Sequence, residues 1–201
     1  MYKGSPLCRG SRTDRDNGLG ADMMKRNIIA LMGALVLAAL AVYQNFAAAD
    51  KEAALPKETA PKPNFLAPAF SLAGLDDRTY SVGGKRDKPI FLNFWASWCG
   101  PCEIEAPDLK RLHDKYGEKI DFYAVNMTQY DKLANVRAFA ERFGFDFPIL
   151  LDKEGEAADL YNVVGIPTSF IIDKNGVIVD AFNLLNPDEL EKRVKRAVSG
   201  S

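Results

Sequence analysis

Hydrophobic and polar positions follow two different periods along residues 64–201, and the change between these periods marks the predicted elements. The run Ile90–Ala96 is dense in β-branched and aromatic residues and has the length of a strand covered on both faces. The next segment, Cys99–Tyr116, repeats apolar positions at the i, i+3, i+4 spacing of an amphipathic helix. We therefore expect a central strand that leads directly into a helix.

The rest of this region alternates predicted strands with predicted helices. Two short segments separated by Gly74, Asp76 and Asp77 indicate a small N-terminal hairpin. The dipeptide Asn175-Gly176 can supply the positive φ of a tight hairpin between the last two strands. The predicted strands are Ala69–Ala73, Arg78–Val82, Asp121–Asn126, Phe147–Leu151, Thr168–Ile172 and Val177–Phe182, and the predicted helical segments are Lys132–Phe143, Glu156–Tyr161 and a helix from Pro187. This order predicts an α/β fold whose sheet is mixed, because its last two strands form a hairpin.

An apolar stretch near the N-terminus indicates where the protein is located. The run Ile28–Val42 is uninterrupted and continues to Ala49, giving about 22 residues, enough to cross a bilayer of roughly 30 Å. Lys25 and Arg26 precede it, which favours a cytoplasmic N-terminus and export of everything that follows. Region 23–49 is thus either a signal-anchor or a signal peptide cleaved after its closing alanines. A buried core helix fits less well, because it would more often show a polar face.

The segments on either side of the apolar stretch have no regular pattern. Residues 1–22 are polar, contain four glycines and show neither period, so we expect them not to fold, with Met23 or Met24 as the true start. Residues 50–63 combine alternating charges with three prolines, a composition typical of an extended tether or of a stub left by signal cleavage. The folded domain is therefore expected at 64–201.

Length and charge narrow the classes of function. The 201 residues, 47% of them hydrophobic, suit one globular domain with accessory segments. The 26 basic residues nearly cancel the 27 acidic residues, so no broad positive field attracts a polyanion. We therefore expect no nucleic acid among the partners.

The segment Trp98-Cys99-Gly100-Pro101-Cys102 joins the predicted central strand to the predicted helix. A thiolate at the start of a helix faces unpaired N–H groups and the positive end of the helix dipole, which can bring a cysteine pKa to about 3.5–7.5. Cys99 is therefore the predicted nucleophile. Cys102 lies one turn later and can attack the mixed disulfide that Cys99 forms with a substrate. This chemistry predicts a thiol-disulfide oxidoreductase that needs no metal or other cofactor.

Two other roles for the cysteine pair fit the sequence less well. A zinc site would need about two further Cys or His ligands, and the remaining residues of those types are His113 and Cys8. Cys8 precedes the apolar stretch, and we assign it no role. A purely structural disulfide would close so small a loop that it constrains the unfolded chain little.

Glu105 falls on the same helical stripe as Cys102, with apolar residues one and two turns later. A carboxyl group buried there should have a raised pKa, which suits proton exchange with the Cys102 thiol near neutral pH. We therefore predict that Glu105 is the acid-base residue, whereas Glu103 points to solvent. The alternative is that Glu105 snorkels to the helix edge, and Pro107 could kink the helix and change this geometry.

The segment Gly165-Ile166-Pro167-Thr168 precedes a predicted strand. A cis peptide bond costs little only before proline, and a proline entering a strand is often a turn device. The second half of the site is therefore expected here.

Together, the Trp-Cys-Gly-Pro-Cys and Ile-Pro-Thr motifs resemble the thioredoxin superfamily, and in particular its membrane-anchored ResA/TlpA-like branch. The resemblance covers Asn64–Val198, with Asp131–Asp152 similar to the inserted helix and strand of that branch. It implies that Pro167 is cis and lies against the Cys99 sulfur, and that the backbone of Ile166 pairs with an extended substrate strand. The implied substrate surface comprises Trp98, Gly100, Pro101, Ile166 and Pro167.

The sequence departs from its relatives at two positions. Asn93 stands where plain thioredoxin has a buried aspartate, and an amide cannot carry a proton. The dipeptide Gly100-Pro101 stands where ResA itself resembles Cys-Glu-Pro-Cys, and this dipeptide helps to set the redox potential.

The resemblance also implies partners. It favours reduction of disulfides in exported proteins such as apocytochrome c, with electrons relayed by a CcdA- or DsbD-like membrane protein. Two alternatives stay open: an oxidant or isomerase of secreted proteins, and a non-catalytic module that binds peptides along Ile166-Pro167.

Overall fold

The structure is a computed structural model that describes residues 25, 27–28, 30–44 and 55–200. The chain divides into two units, Met1–Ala54 and Leu55–Ser201. In the first unit, residues 30–44 are helical. Across the described ranges, no helix combines the length and the hydropathy needed to span a bilayer. The expectations for residues 1–22, and for both ends of the predicted signal region 23–49, fall on residues outside those ranges.

The described part of the second unit alternates strands with helices. Its strands are β1 Phe70–Ala73, β2 Thr79–Val82, β3 Ile90–Trp95, β4 Asp121–Asn126, β5 Ile149–Leu151, β6 Thr168–Ile172 and β7 Ile178–Asn183. Its helices are α1 Gly100–Tyr116, α2 Leu133–Phe143, α3 Glu156–Leu160 and α4 Pro187–Ser199, with a 3-10 turn at Thr128–Tyr130. These elements correspond to the segments predicted from the two periods, with ends that differ by a few residues.

Five of these strands form a mixed sheet in the order β5-β4-β3-β6-β7, and β1 pairs with β2 in a separate antiparallel hairpin. β3 is parallel to β4 and antiparallel to β6. All six residues of β3 are buried, which is why its sequence reads as a continuous apolar run rather than an alternation. The predicted central strand and the predicted mixed sheet are confirmed.

Successive residues of β3 point to opposite faces of the sheet and enter two different cores. Phe91 and Trp95 pack with buried residues of α1, α2 and α4. Leu92 and Phe94 pack on the other face with Tyr161 and with residues of α3 and β2. The sheet is therefore covered on both faces. The end of β3 that leads into α1 packs against one core on each face.

Both outer strands of the sheet are paired with other parts of the chain. Gly74, which follows β1, bridges to Leu150 of β5, and the N–H of Leu75 donates to the carbonyl of Ile149 at 2.8 Å. At the opposite edge, the N–H of Asn64 donates to the carbonyl of Ile178 at 2.8 Å. The first hairpin and the segment before it therefore cover the sheet edges.

The compact unit begins at Leu55, earlier than the Asn64 expected from composition. The N–H of Leu66 donates to the carbonyl of Glu58 at 3.0 Å, and the N–H of Ala60 donates to the carbonyl of Leu66 at 3.1 Å. Charges and prolines make this stretch resemble a tether in the sequence, but its backbone pairs with the segment that covers β7. The residues predicted as a tether, 50–63, thus include nine that lie in the compact unit.

The turn between β6 and β7 has the predicted positive φ at Gly176, but it is longer than a two-residue hairpin turn. Only Gly176 of the Asn-Gly pair has positive φ, at 81°. The Asp173 carboxylate accepts the N–H groups of Asn175 at 2.9 Å and Val177 at 2.8 Å, which holds the loop in a longer turn than a two-residue hairpin. A Cβ at Gly176 would also lie 2.8 Å from the carbonyl oxygen of Gly84.

Candidate active site

The two cysteines lie where β3 ends and α1 begins. Cys99 is the N-cap of α1, and its Sγ accepts the N–H of Cys102 at 3.2 Å. Cys102 lies one turn into the helix, and the two residues form a disulfide with their Cα atoms 5.2 Å apart. Pro101 fits in the first turn because the N–H that proline lacks would have no partner within the helix there.

The disulfide is shielded, but the residues around it are exposed. Cys99 and Cys102 are 5% and 3% exposed. By contrast, Trp98 is 61% exposed, and Gly100 and Pro101 are exposed as well. These three residues therefore form an exposed rim beside the shielded disulfide.

The position of Cys99 explains what the pair can do once it is reduced. The first N–H groups of α1 lack partners within the helix, and they form the positive end of its dipole. In the structure one of these groups already points at the Cys99 sulfur, from Cys102. A Cys99 thiolate would be stabilised by this environment, which favours nucleophilic attack near neutral pH.

The loop before β6 lies directly beside Cys99. The Ile166–Pro167 peptide is cis, as the resemblance implies. The carbonyl oxygen of Ile166 lies 3.6 Å from the Cys99 sulfur. The Asn183 amide donates to the carbonyl of Pro167 at 3.0 Å, which fixes the loop from β7. The structure thus brings together the two predicted halves of the site, 67 positions apart in the chain.

Glu105 is buried on the same helix as Cys102, as the helical stripe predicts. It is only 2% exposed, and burial raises the pKa of its carboxyl group from 4.5 to about 7. Glu103, by contrast, is exposed and forms an ion pair with Arg142 at 2.7 Å. Pro107 does not end α1, which runs unbroken from Gly100 to Tyr116.

The Glu105 carboxyl group is held by a buried polar pair. The Asn93 amide donates to Glu105 Oε2 at 3.0 Å and to the Ser169 hydroxyl at 2.9 Å. The first of these hydrogen bonds favours the ionised carboxylate and partly offsets the effect of burial on its pKa. The other oxygen, Oε1, has no hydrogen-bond partner among the described residues. It is therefore the oxygen available to accept a proton.

Sequence reasoning missed a second carboxylate next to the cysteines. Asp131 accepts hydrogen bonds from the backbone N–H and from the hydroxyl of Ser97, both at 2.6 Å. It also accepts one from the Asn126 amide at 3.0 Å. No sequence pattern points to this contact, since Asp131 and Ser97 are 34 positions apart. The nearest signal is that Asp131 begins the segment similar to the branch-specific insertion.

The described residues contain one group that could in principle hold a cation, formed by His113, Asp114 and Asp146. The Lys110 ammonium already pairs with both carboxylates, and His113 lies 3.0 Å from Asp146. Both carboxylates of the group therefore already have the Lys110 ammonium as their partner.

Comparisons with known proteins place similar sequences over the same region. The chain matches the AhpC/TSA family over residues 64–181. The thioredoxin-like protein YneN from Bacillus subtilis is 42% identical over 130 residues, which are 64% of this chain and 76% of the relative. The thiol-disulfide oxidoreductase ResA from Geobacillus thermodenitrificans is 39% identical over 159 residues, which are 78% of this chain and 84% of the relative.

A solved structure agrees with these sequence matches. The exposed lipoprotein thioredoxin of Streptococcus pneumoniae is 27% identical and superposes with a TM-score of 0.55, covering 64% of this chain and 99% of that protein. The family match includes both cysteines, Glu105 and the cis-proline loop.

Proposed function

Since the chain belongs to the AhpC/TSA family and is a thiol-disulfide oxidoreductase, we propose that it reduces disulfide bonds in exported proteins such as apocytochrome c. The observation that carries this proposal is the Cys99–Cys102 disulfide at the N-cap of α1, beside the carbonyl of Ile166, with the buried Glu105 three residues further along the helix. This arrangement suits the transfer of two electrons from a dithiol to a disulfide.

The reaction proceeds in two successive thiol-disulfide exchanges. The reduced Cys99 thiolate attacks one sulfur of the substrate disulfide, and the other substrate sulfur leaves as a thiolate and takes up a proton. Cys102 then gives up its proton and attacks Cys99 Sγ, which releases the second substrate sulfur as a thiol. Two electrons pass to the substrate, and the Cys99–Cys102 disulfide remains on the enzyme.

Glu105 is the proposed acceptor of the Cys102 proton. It lies three residues after Cys102 on the buried stripe of α1, with Oε1 unpaired. Because its pKa is raised to about 7, a substantial fraction is ionised at neutral pH and can accept a proton. The carboxylic acid that results can return the proton to a departing thiolate.

The substrate binds in this proposal as an extended strand. The backbone of Ile166 offers it main-chain hydrogen bonds, and Pro167 fixes the edge that it pairs with. Trp98, Gly100 and Pro101 form the exposed rim against which its side chains pack. Backbone pairing of this kind tolerates many sequences, as a reductase of several exported proteins requires.

The N-terminal sequence supports export of the catalytic domain. Basic residues precede an apolar stretch of signal-anchor or signal-peptide type. The similarity to an exposed lipoprotein thioredoxin supports the same side of the membrane. A reductant outside the membrane needs electrons that are relayed across it from the cytoplasm. We therefore propose a CcdA- or DsbD-like membrane protein as the electron donor.

Two measurements test this proposal: the first asks which disulfide the protein reduces, and the second asks whether it acts as a reductant or an oxidant. The full chain is reduced with dithiothreitol, freed of reductant and mixed with a disulfide-bonded Cys-x-x-Cys-His peptide, and peptide thiols are quantified over time. We expect faster reduction than with a matched peptide that has alanine in place of histidine. Equal rates would contradict recognition of the apocytochrome c motif.

Equilibration with glutathione then gives the reduction potential. We expect a value well below that of protein disulfide isomerase, about −180 mV. A value at or above that level would make the protein an oxidant or isomerase of secreted proteins instead.

A further inference from the structure

The side chain of Asp131 fastens the segment between β4 and α2 to the loop that carries Cys99. Besides both donors of Ser97, its carboxylate accepts the Asn126 amide at 3.0 Å and the N–H of Lys132 at 2.8 Å. Ser97 lies two residues before Cys99, and Asn126 is the last residue of β4. One carboxylate therefore joins the ends of the two central strands next to the nucleophile.

A second contact links the same two segments. The indole N–H of Trp98 donates to the carbonyl of Tyr130 at 2.8 Å. The receiving segment is itself fixed, because the N–H of Tyr130 donates to the carbonyl of Met127 at 3.0 Å. The N–H of Asp131 likewise donates to the carbonyl of Thr128 at 3.2 Å. Ser97 and Trp98 are thus both held by one short, rigid turn.

The loop that carries Cys99 depends on such external contacts. It leaves β3 at Trp95 and enters α1 within a few residues, with the N–H of Cys99 donating to the carbonyl of Ala96 at 3.2 Å. Hydrogen bonds to a carboxylate are shorter and stronger than those between neutral groups. Reactive groups must be held within about 0.5 Å of their productive place by supporting residues. The Asp131 carboxylate gives the loop this support.

We propose that Asp131 is a positioning residue of the thiol-disulfide reaction, which fixes Ser97 and thereby holds Cys99 at the N-terminus of α1. It acts through the backbone and hydroxyl of Ser97. The inference rests on the redox activity of the cysteine pair and not on the identity of the substrate. It can therefore hold even where the proposal of apocytochrome c fails.

Replacing Asp131 removes a charge and a structural support, and these two losses have opposite expected effects on the reactivity of Cys99. A negative charge near a thiol disfavours the thiolate, so loss of the charge alone would make Cys99 more reactive. Loss of the support lets Cys99 leave the helix N-terminus, which makes it less reactive. Asp131→Asn removes the charge but keeps an oxygen for the Ser97 and Asn126 N–H groups. Asp131→Ala removes both charge and support.

The experiment follows alkylation of Cys99 in the reduced full chain by iodoacetamide from pH 5 to 9, read by mass spectrometry of the Cys99 peptide. In Asp131→Ala we expect alkylation at pH 7 to be roughly fivefold slower and its midpoint to move to higher pH. In Asp131→Asn, which loses the charge and keeps the support, we expect alkylation at pH 7 at least as fast as in the parent. Ser97→Ala, which keeps the backbone contact, should give a smaller slowing in a variant that folds readily.

The matched control is Asp173→Ala. Asp173 also accepts two backbone N–H groups, but it follows β6 at the end of the sheet opposite to Cys99. It should lower the melting temperature and leave Cys99 alkylation unchanged. The proposal is overturned by an Asp131→Ala protein that alkylates at least as fast as the parent, or by an Asp131→Asn protein as slow as Asp131→Ala.

Discussion

At the scale of single residues, the buried Glu105 carboxyl group links the reaction to pH. Its pKa of about 7 means that the ionised form, the proposed acceptor of the Cys102 proton, becomes populated only as the pH approaches neutrality. The second sulfur exchange should therefore accelerate with pH up to about 7, beyond which the carboxylate is already available.

We expect Glu105→Gln to slow this second exchange at pH 7 by roughly 100-fold, because the amide cannot accept the proton. The measurement is the lifetime of the mixed disulfide after rapid mixing with a disulfide peptide, together with the pH titration of the Cys102 thiol. Glu103→Gln, on the exposed side of the same helix, is the matched control and should behave like the parent. A Cys102 titration that does not move in Glu105→Gln would exclude the proton-transfer role.

Asn93 is expected to contribute to stability rather than to proton transfer. Asn93→Ala leaves Glu105 Oε2 and the Ser169 hydroxyl without their shared donor in a buried setting, which should cost about 1–3 kcal/mol in the free energy of unfolding. Urea unfolding of the oxidised protein measures this cost. Asn135→Ala, at an exposed position of α2, is the control and should unfold at the same urea concentration as the parent. Matching midpoints for the two variants would contradict the structural role of Asn93.

How much of the site could be predicted depends on how far its contacts reach along the chain. Cys99, Cys102 and Glu105 stand within seven positions, where helical spacing alone decides which side chains share a face. Asn93 and Ser169 are 76 positions apart, so their contact depends on the strand register. Asp131 acts on a backbone N–H, and any residue type at position 97 other than proline would offer that group.

At the scale of elements, α1 and α4 are joined by a cluster of side chains around Glu191. The Glu191 carboxylate accepts hydrogen bonds from Arg111, Lys115 and the Tyr116 hydroxyl, all on α1. These donors lower the pKa of Glu191 from 4.5 to about 2. The cluster therefore fixes the far end of the helix whose N-terminus holds the cysteines.

The lowered pKa of Glu191 predicts how stability changes in acid. A carboxyl group with a lowered folded-state pKa stabilises the protein above its unfolded pKa, and this stabilisation is lost as the pH falls through the folded pKa. Glu191→Gln should therefore lower the melting temperature at pH 7 and make it less dependent on pH between about 4.5 and 2. Thermal unfolding by circular dichroism measures this. Glu141→Gln, exposed on α2, is the control, and an unchanged acid profile in Glu191→Gln would contradict the prediction.

Elements with a strong period were predictable, whereas the segment before the first hairpin was not. β3 and α1 could be predicted because burial leaves a regular apolar pattern in the sequence. β3 is buried on both faces and gives a continuous apolar run, whereas α1 is buried on one face and gives a helical period. Residues 55–63 are held by backbone hydrogen bonds, which leave no side-chain pattern. Their prolines and charges suit an extended chain equally well in a tether and against a sheet edge.

At the scale of the whole molecule, this segment should stabilise the compact unit. A chain that begins at Leu55 keeps the hydrogen bonds of Glu58 and Ala60 to Leu66, and a chain that begins at Asn64 loses them. We expect the shorter chain to unfold at a lower urea concentration, with both chains reducing insulin through the same cysteine pair. Identical unfolding midpoints would show that residues 55–63 add nothing to the fold.

The coverage of both outer strands has a consequence for solubility. A protein that accepts extended peptides at one loop risks recruiting copies of itself, because exposed strand edges template further pairing and fibrous aggregates. Here Leu75 at one margin and Asn64 at the other occupy main-chain groups that a neighbouring copy would need. The proposed peptide-binding stretch around Ile166 lies apart from these two covered margins, so we expect peptide binding there without pairing of two copies along β5 or β7.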